Sequence, residues 1–328
     1  MNAMPTKAGN HDRESVATDS AGLGDQCLLW IDPERFRLDF NRKHFEVTHQ
    51  LAEHPLFQVP RLLELAREMS AKWPKDIYYD HGVTSIGERW RTQPAELSVE
   101  ETIERLETSK GWIDFKSAER SREYGKVLNT CIRDLLRVSG RQLESSMRRK
   151  QMAIFITSPN RLSTYHMDSE VNFLLQLRGE KKISIFPKGD PEIVPETEKE
   201  RFWTVDPNAA IYKPQLQDRA DVVDLRPGMG VHIPVNAPHW VQNGNNISVS
   251  VAILYHSWPR AYANLYAANH LLRRRLGITP TPPFKSRFID TLKQPLGAAA
   301  LHLWALRHGA ARDSSGNAAG ILDRTPQY

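Results

Sequence analysis

His166 and Asp168, one residue apart at the head of an apolar alternating stretch, constrain this chain more than any other pair in it. Side chains on a β-strand repeat every two residues, so both would point to one side, where a ligand from a neighbouring strand can complete a metal-binding face. His239, well downstream and directly after Pro238, stands at the start of another strand-like stretch and is the candidate third ligand. Two imidazoles and one carboxylate on a single face leave coordination positions open. That donor set suits Fe(II) and oxygen chemistry.

The surrounding sequence reads as β. Asn172 to Leu177 and Lys181 to Phe186 are two short β-like runs separated by a Gly179 turn, the pattern of a hairpin that begins at the candidate ligands. Pro227-Gly228 marks a turn ahead of Val231-His232-Ile233-Pro234. Ile247, Val249, Val251 and Ile253 alternate with smaller or polar neighbours, as expected for a strand with one buried face. His232 and His256 fall in such stretches and are expected as strand or loop residues, not as ligands.

From about Phe155 to Tyr255, roughly a third of the chain, the sequence resembles the JmjC and cupin-like branch of the Fe(II)/2-oxoglutarate oxygenases, the group that includes the asparaginyl hydroxylase acting on hypoxia-inducible factor. In that branch a hydroxyl residue lies three positions before the first His, an Asn six after it and a Lys fifteen after it. Here those positions hold Ser163, Asn172 and Lys181. The branch's closing segment reads roughly Gly-Asp-aliphatic-aromatic-Ile-Pro, with a His five residues past the Pro. This chain has Gly228 to Pro234 and then His239, but Met229 stands where the Asp is usual.

The resemblance implies a mainly β fold, a double-stranded β-helix or jelly roll with helical N- and C-terminal regions. It implies iron held by His166, Asp168 and His239, with 2-oxoglutarate as co-substrate and O2 as oxidant. The distal carboxylate of the co-substrate needs a buried cation and donors, roles that fall to Lys181 and Ser163, with Asn172 orienting that end. Oxidative decarboxylation would give succinate and CO2 and hydroxylate a C–H bond of a target. Protein side chains, envelope components and small metabolites all remain open as that target, because a fold does not choose among them. The outer partners of the ligands are not legible in the sequence.

Two other classes of function stand beside this one. A non-oxygenase metal-binding cupin, an isomerase or ligand sensor, would bind metal without turning over 2-oxoglutarate; simple cupins usually add a second His and a Glu soon after the first ligand, and no His-x-His occurs here. A non-catalytic binding protein would be expected to have lost a ligand or the Lys. All four positions are kept.

At 328 residues the chain can bury a large core. A net charge of +5 is a mild basic bias, and Arg148-Arg149-Lys150 and Arg273-Arg274-Arg275 lack interleaved aromatics, so solvated faces rather than a nucleic-acid partner are expected. Two cysteines, Cys27 and Cys131, imply no disulfide framework and fit a reducing cytoplasm. No run approaches the ~18 apolar residues of a spanning helix, so no integral membrane segment is expected.

Four regions are expected. Residues 1–25 read as a disordered leader without a signal pattern. Residues 26–150 read as mostly helical and as buttressing a barrel. Leu62, Leu63, Ala66 and Met69 mark one helix, a capping box at Ser98 to Glu101 opens another, and a third runs from about Arg120 to Val138. Residues 151–258 would form the catalytic barrel. In 259–328, Tyr262 to Leu276 reads as a helix ending near Gly277, then comes a Pro-rich linker at 279–283 and a last apolar helix from Leu296 to Arg307. The resemblance implies a homodimer through these C-terminal helices; the rival is contact with a membrane surface, with Trp304 in the interface and Arg273 to Arg275 facing anionic lipid.

Overall fold

The structure, a computed structural model, describes residues 27–82, 84–89, 97–257 and 259–308. The leader expected at residues 1–25 lies outside the described residues.

From the N-terminal side, strand β1 (Leu29–Trp30) leads into helix α1 (Pro33–Asp39). Its cap, Asp32, accepts hydrogen bonds from the backbone N–H groups of Glu34 and Arg35, and Pro33 supplies the helical φ at the first position. Strand β2 (Phe45–His49) and helix α2 (Val59–Lys72) follow, the latter burying Leu62, Leu65, Ala66 and Met69 as one stripe. Next come β3 (Ile77–His81), α3 (Val99–Glu104) and β4 (Gly111–Phe115). The capping box of α3 is reciprocal: Ser98 Oγ accepts from the Glu101 N–H, and the Glu101 carboxylate accepts from the Ser98 N–H. Helices α4 (Arg122–Ser139) and α5 (Arg141–Ser146) then deliver the chain to the barrel.

The barrel strands are β5 (Met147–Thr157), β6 (Leu162–His166), β7 (Val171–Arg178), β8 (Lys181–Ile185), then helix α6 (Glu196–Phe202), β9 (Asp221–Leu225), β10 (Met229–Ile233), β11 (His239–Asn243) and β12 (Ser248–Ser257). They divide between an eight-stranded sheet, order β1-β2-β10-β7-β12-β5-β4-β3, and a four-stranded sheet, order β6-β11-β8-β9. From β5 to β12 the chain changes sheet at every step but β8 to β9, and all pairings are antiparallel. That winding is a double-stranded β-helix, the jelly roll with helical flanks expected above. Ala153, Leu174, Ala252 and Leu254 from the large sheet meet Ile183, Ile185, Val223 and Val241 from the small one between the layers. The outer face of the large sheet, with Ile154, Phe173, Val251 and Ile253, packs on α2 and α4 in the second and larger core.

Four expectations need correction. The runs at Asn172 and Lys181 are not a hairpin: both edges of β7 are taken, by β10 and β12, so β8 pairs instead with β11 and β9 in the other sheet. Gly179 makes that crossing, at φ +71° and with the Ile247 carbonyl 2.3 Å from where a Cβ would sit, so only glycine fits. β12 is buried on both faces, since helices cover one and the small sheet covers the other. Residues 26–150 hold the expected helices but also supply β1, β2, β3 and β4, which extend the large sheet at both ends. Short strands that lack a long alternating run leave little trace in sequence.

The fourth correction concerns the C-terminal region, where α7 (Pro259–Leu276) packs against α8 (Arg287–His308). The last helix starts nine residues earlier than its apolar run and passes through Pro295. Its path is held from α7: a Cβ on Gly297 would collide with the Asn264 backbone, so the two helices are in close contact there. No helix among the described residues is long and apolar enough to cross a membrane. Arg273 of α7 reaches back to α6 and grips the buried Glu200 through Nε and an Nη, at 3.0 Å each. Arg273→Ala is expected to strand that carboxylate and cost about 3 kcal/mol, read as a fall in the denaturation midpoint; Arg273→Lys, which lacks the fork, should restore only part.

Candidate metal centre

β6 ends at His166, β11 begins at His239, and the two are directly opposed in the antiparallel ladder. Asp168 follows two residues later in the connection to β7. One nitrogen of each imidazole and one carboxylate oxygen all lie within 4.8 Å of one another. His166 Nε2 stands 3.8 Å from Asp168 Oδ1, and His239 Nε2 stands 3.8 Å from Asp168 Oδ2.

Main-chain carbonyls fix which nitrogen faces the carboxylate. His166 Nδ1 is 2.7 Å from the Thr164 carbonyl and His239 Nδ1 is 3.0 Å from the Ala237 carbonyl, so each Nδ1 donates its proton and each Nε2 carries the lone pair. The loop before His239 is also tied to Asp168, whose carbonyl accepts from the Asn236 N–H. Asn172 Nδ2 donates to Asp168 Oδ2 at 3.0 Å. Asn172 therefore acts at the ligand end of the cavity, on the carboxylate itself. Asn172→Ala is expected to weaken divalent-metal binding about 10–100-fold, measurable by titration with Mn(II).

The donor set fits a divalent ion. Asp168 is 2% exposed, and its Oδ1 is buried without a hydrogen-bond donor among the described residues. Burial raises its carboxyl pKa to about 6, and the same burial lowers His166 and His239 to about 4. Among the described residues no lysine or arginine forms an ion pair with Asp168, so the buried carboxylate and the two imidazole lone pairs face one another. A metal ion supplies a cation there.

Ser163 reaches the same cavity because of a β-bulge. Val241 pairs with Ser163 and His239 with His166, so two residues of β6, Thr164 and Tyr165, oppose the single Trp240. In a regular strand, positions 163 and 166 would face opposite sides; the extra residue flips that parity and brings both to the cavity wall. Tyr165 goes the other way, against Phe186 and Tyr212.

Lys181 lies at the other end of the cavity. Its register partner on β11 is Asn243, four residues from the His239–Ile185 pair, which at ~3.4 Å per residue is about 14 Å along the sheet. The lysine is 6% exposed, and desolvation pushes its ammonium down to about 7, with no carboxylate among the described residues offsetting it. Arg161, Thr157, Leu174, Val241 and Leu254 are among the other residues that line the cavity. Arg161 is engaged by the Asp80 carboxylate and the Gly82 carbonyl.

The two other histidines of this region stand apart from the cluster. His232 is enclosed by Phe40, Phe45 and Phe173, accepts from the Asn41 N–H at Nε2 and meets the Asn172 carbonyl at Nδ1. His256 lies 3.7 Å from Glu170, a buried carboxylate on the cavity wall that sequence reasoning passed over. The carbonyls of Thr164 and Ala237 were equally invisible, since any residue type supplies one.

Fold and cluster together define a jelly-roll protein with two histidines and one carboxylate on the wall of a mostly apolar cavity. No protein-family model matches this sequence, and no curated protein matches it either. Among solved structures, Escherichia coli YcfD is similar at 13% identity and a TM-score of 0.45, over 86% of this chain and 69% of that one. A second structure of it, described as a ribosomal oxygenase, matches at 15% identity and 0.44, over 86% and 68%. Its complex with cobalt and 2-oxoglutarate matches at 15% identity and 0.42, over 84% and 66%.

Proposed function

We propose that this chain is an Fe(II)- and 2-oxoglutarate-dependent oxygenase, a hydroxylase that couples O2 to oxidation of a target and releases succinate and CO2. The observation that carries it is the pairing, in one cavity, of a two-histidine, one-carboxylate cluster with a buried lysine that has no carboxylate partner among the described residues. His166, Asp168 and His239 would hold the iron and leave the remaining positions open. The chemistry an iron there supplies is activation of dioxygen, with the keto acid as reductant.

The chain's own residues account for the rest. The register levels of His239 and Lys181 are ~14 Å apart along the sheet, and both residues line one cavity. That span accommodates a five-carbon dicarboxylate whose keto acid end lies at the cluster and whose far carboxylate takes the ammonium. Ser163, turned inward by the bulge, offers a hydroxyl donor on the way. The offsets of Ser163, Asn172 and Lys181 from His166 are also what support the finer likeness to the branch containing the asparaginyl hydroxylase. Asn172 is reassigned within it, from the far carboxylate to Asp168.

The test is anaerobic loading with Fe(II) and 2-oxoglutarate, followed by succinate measurement on admitting oxygen. Slow turnover is expected even without target. Metal binding with no succinate would favour the isomerase or sensor class instead, and absence of metal binding would leave only a binding protein. A screen of candidate targets for a 16-dalton gain, the mass of one oxygen atom, then addresses the substrate, be it a protein side chain, an envelope component or a metabolite.

A homodimer through α7 and α8 belongs to the same proposal. Phe288, Leu292, Leu296, Leu303 and Leu306 are exposed on α8, Phe288 by 74%, and their spacing of four, four, seven and three residues places them on one apolar stripe. Membrane contact is the weaker rival, because Arg273 turns inward to Glu200 and leaves Arg274 and Arg275 alone at the surface. Sedimentation should show a dimer that Leu292→Glu with Leu303→Glu converts to monomer; a wild-type monomer would remove the idea. The free thiols of Cys27 and Cys131 support a reducing, cytoplasmic setting.

A further inference from the structure

We propose that the Thr157 hydroxyl, held in place by Asn243, is a second hydroxyl donor to the far carboxylate of the co-substrate, beside Lys181; this rests on the oxygenase reading above.

Thr157 closes β5, is buried, and lines the cavity from the large sheet. Asn243 closes β11 in the small sheet, directly opposite Lys181. The Asn243 amide bridges the two layers there, with Nδ2 donating to Thr157 Oγ1 at 2.5 Å and to the Ser158 carbonyl at 3.1 Å. Both amide protons are thereby used. Thr157 Oγ1 is committed as an acceptor, so its own proton must go elsewhere. The acceptor it has among the described residues is the Ser248 carbonyl at 3.5 Å, the outer limit of a hydrogen bond. The hydroxyl shares its cavity with the Lys181 ammonium, which has no carboxylate partner among the described residues, and its bonded neighbour Asn243 stands opposite that lysine. A carboxylate oxygen entering beside Lys181 would satisfy both groups, while water or an apolar ligand end would leave the ammonium unmatched.

A purely structural Thr157 would do no more than accept from Asn243. The two roles separate in binding. Isothermal titration of the full-length, Mn(II)-loaded protein compares 2-oxoglutarate with oxalate, which also chelates the metal but has no far carboxylate. Thr157→Val is expected to raise the Kd for 2-oxoglutarate about tenfold or more and to leave oxalate within twofold, with Thr157→Ser restoring 2-oxoglutarate binding. Should the valine variant not fold, Thr157→Cys, which keeps a weak acceptor for Asn243 but donates poorly, carries the same expectation. Equal losses for both ligands, or no loss for 2-oxoglutarate, would overturn the assignment while leaving the oxygenase reading intact. A wild-type protein that binds oxalate but not 2-oxoglutarate would overturn both.

Discussion

Asp168→Ala is expected to abolish succinate release and to remove the rise in melting temperature that Fe(II) or Mn(II) gives the wild type. Loss of an outer partner such as Asn172 costs about 10–100-fold; deletion of the ligand that both imidazoles face should exceed that. The metal-free variant, in contrast, should melt no lower than wild type. In the metal-free protein Asp168 is a buried carboxylate with Oδ1 unpartnered, and removing an unsatisfied buried group relieves its desolvation cost. The sign of the pH dependence follows from the raised pKa. Its folded value of about 6 exceeds the unfolded one near 4, so its contribution is greatest below pH ~4 and is lost as pH rises through 6. Asp168→Ala should flatten that part of the metal-free stability profile. Calorimetry with and without metal, at pH 4 to 8, reads all three effects. Succinate release persisting in the variant would remove the metal centre from the mechanism.

How much of this was legible in the sequence depended on whether the information was local. The two-residue repeat of a strand is local, and it predicts one side for His166 and Asp168, with Pro238 positioning His239 to join them; β6 in fact ends at His166, and Asp168 lies in the connection that follows. Their ligand atoms do converge. Strand pairing is not local: nothing in Asn172 to Ile185 says that β7 will be flanked on both edges, so a crossing between sheets looks like a hairpin. The inward turn of Ser163 depends on a bulge, and a bulge is defined by two strands, not one. Burial of β12 on both faces likewise follows from what packs against it. Pro295 interrupts the apolar pattern of α8 but not the helix, because contact with α7 outweighs a local preference. The Thr164 and Ala237 carbonyls that orient the imidazoles are main chain, and leave no mark in the sequence at all.

Lys181→Met is expected to raise the Kd for 2-oxoglutarate by roughly two orders of magnitude, the scale of losing one partner of a buried charge pair, while leaving Mn(II) binding unchanged. Methionine matches the lysine stem in length and shape, so the change isolates the charge. In the free protein the ammonium is buried with no carboxylate partner among the described residues and its pKa falls to about 7, against ~10.5 in the unfolded chain. Between those values the unfolded chain binds the extra proton, so wild-type stability should climb as pH rises from 7 toward 10 and be lowest below 7. The methionine variant loses that slope and should be the more stable of the two at pH 6. Co-substrate binding runs the opposite way, because a dicarboxylate needs the charged lysine: wild-type affinity should decline about tenfold per unit above pH 7, and the variant's weak affinity should not change. Titrations from pH 6 to 9 on both proteins make the comparison. A pH-independent wild-type Kd, or a methionine variant that binds 2-oxoglutarate as tightly as wild type, would mean that Lys181 does not hold the keto acid.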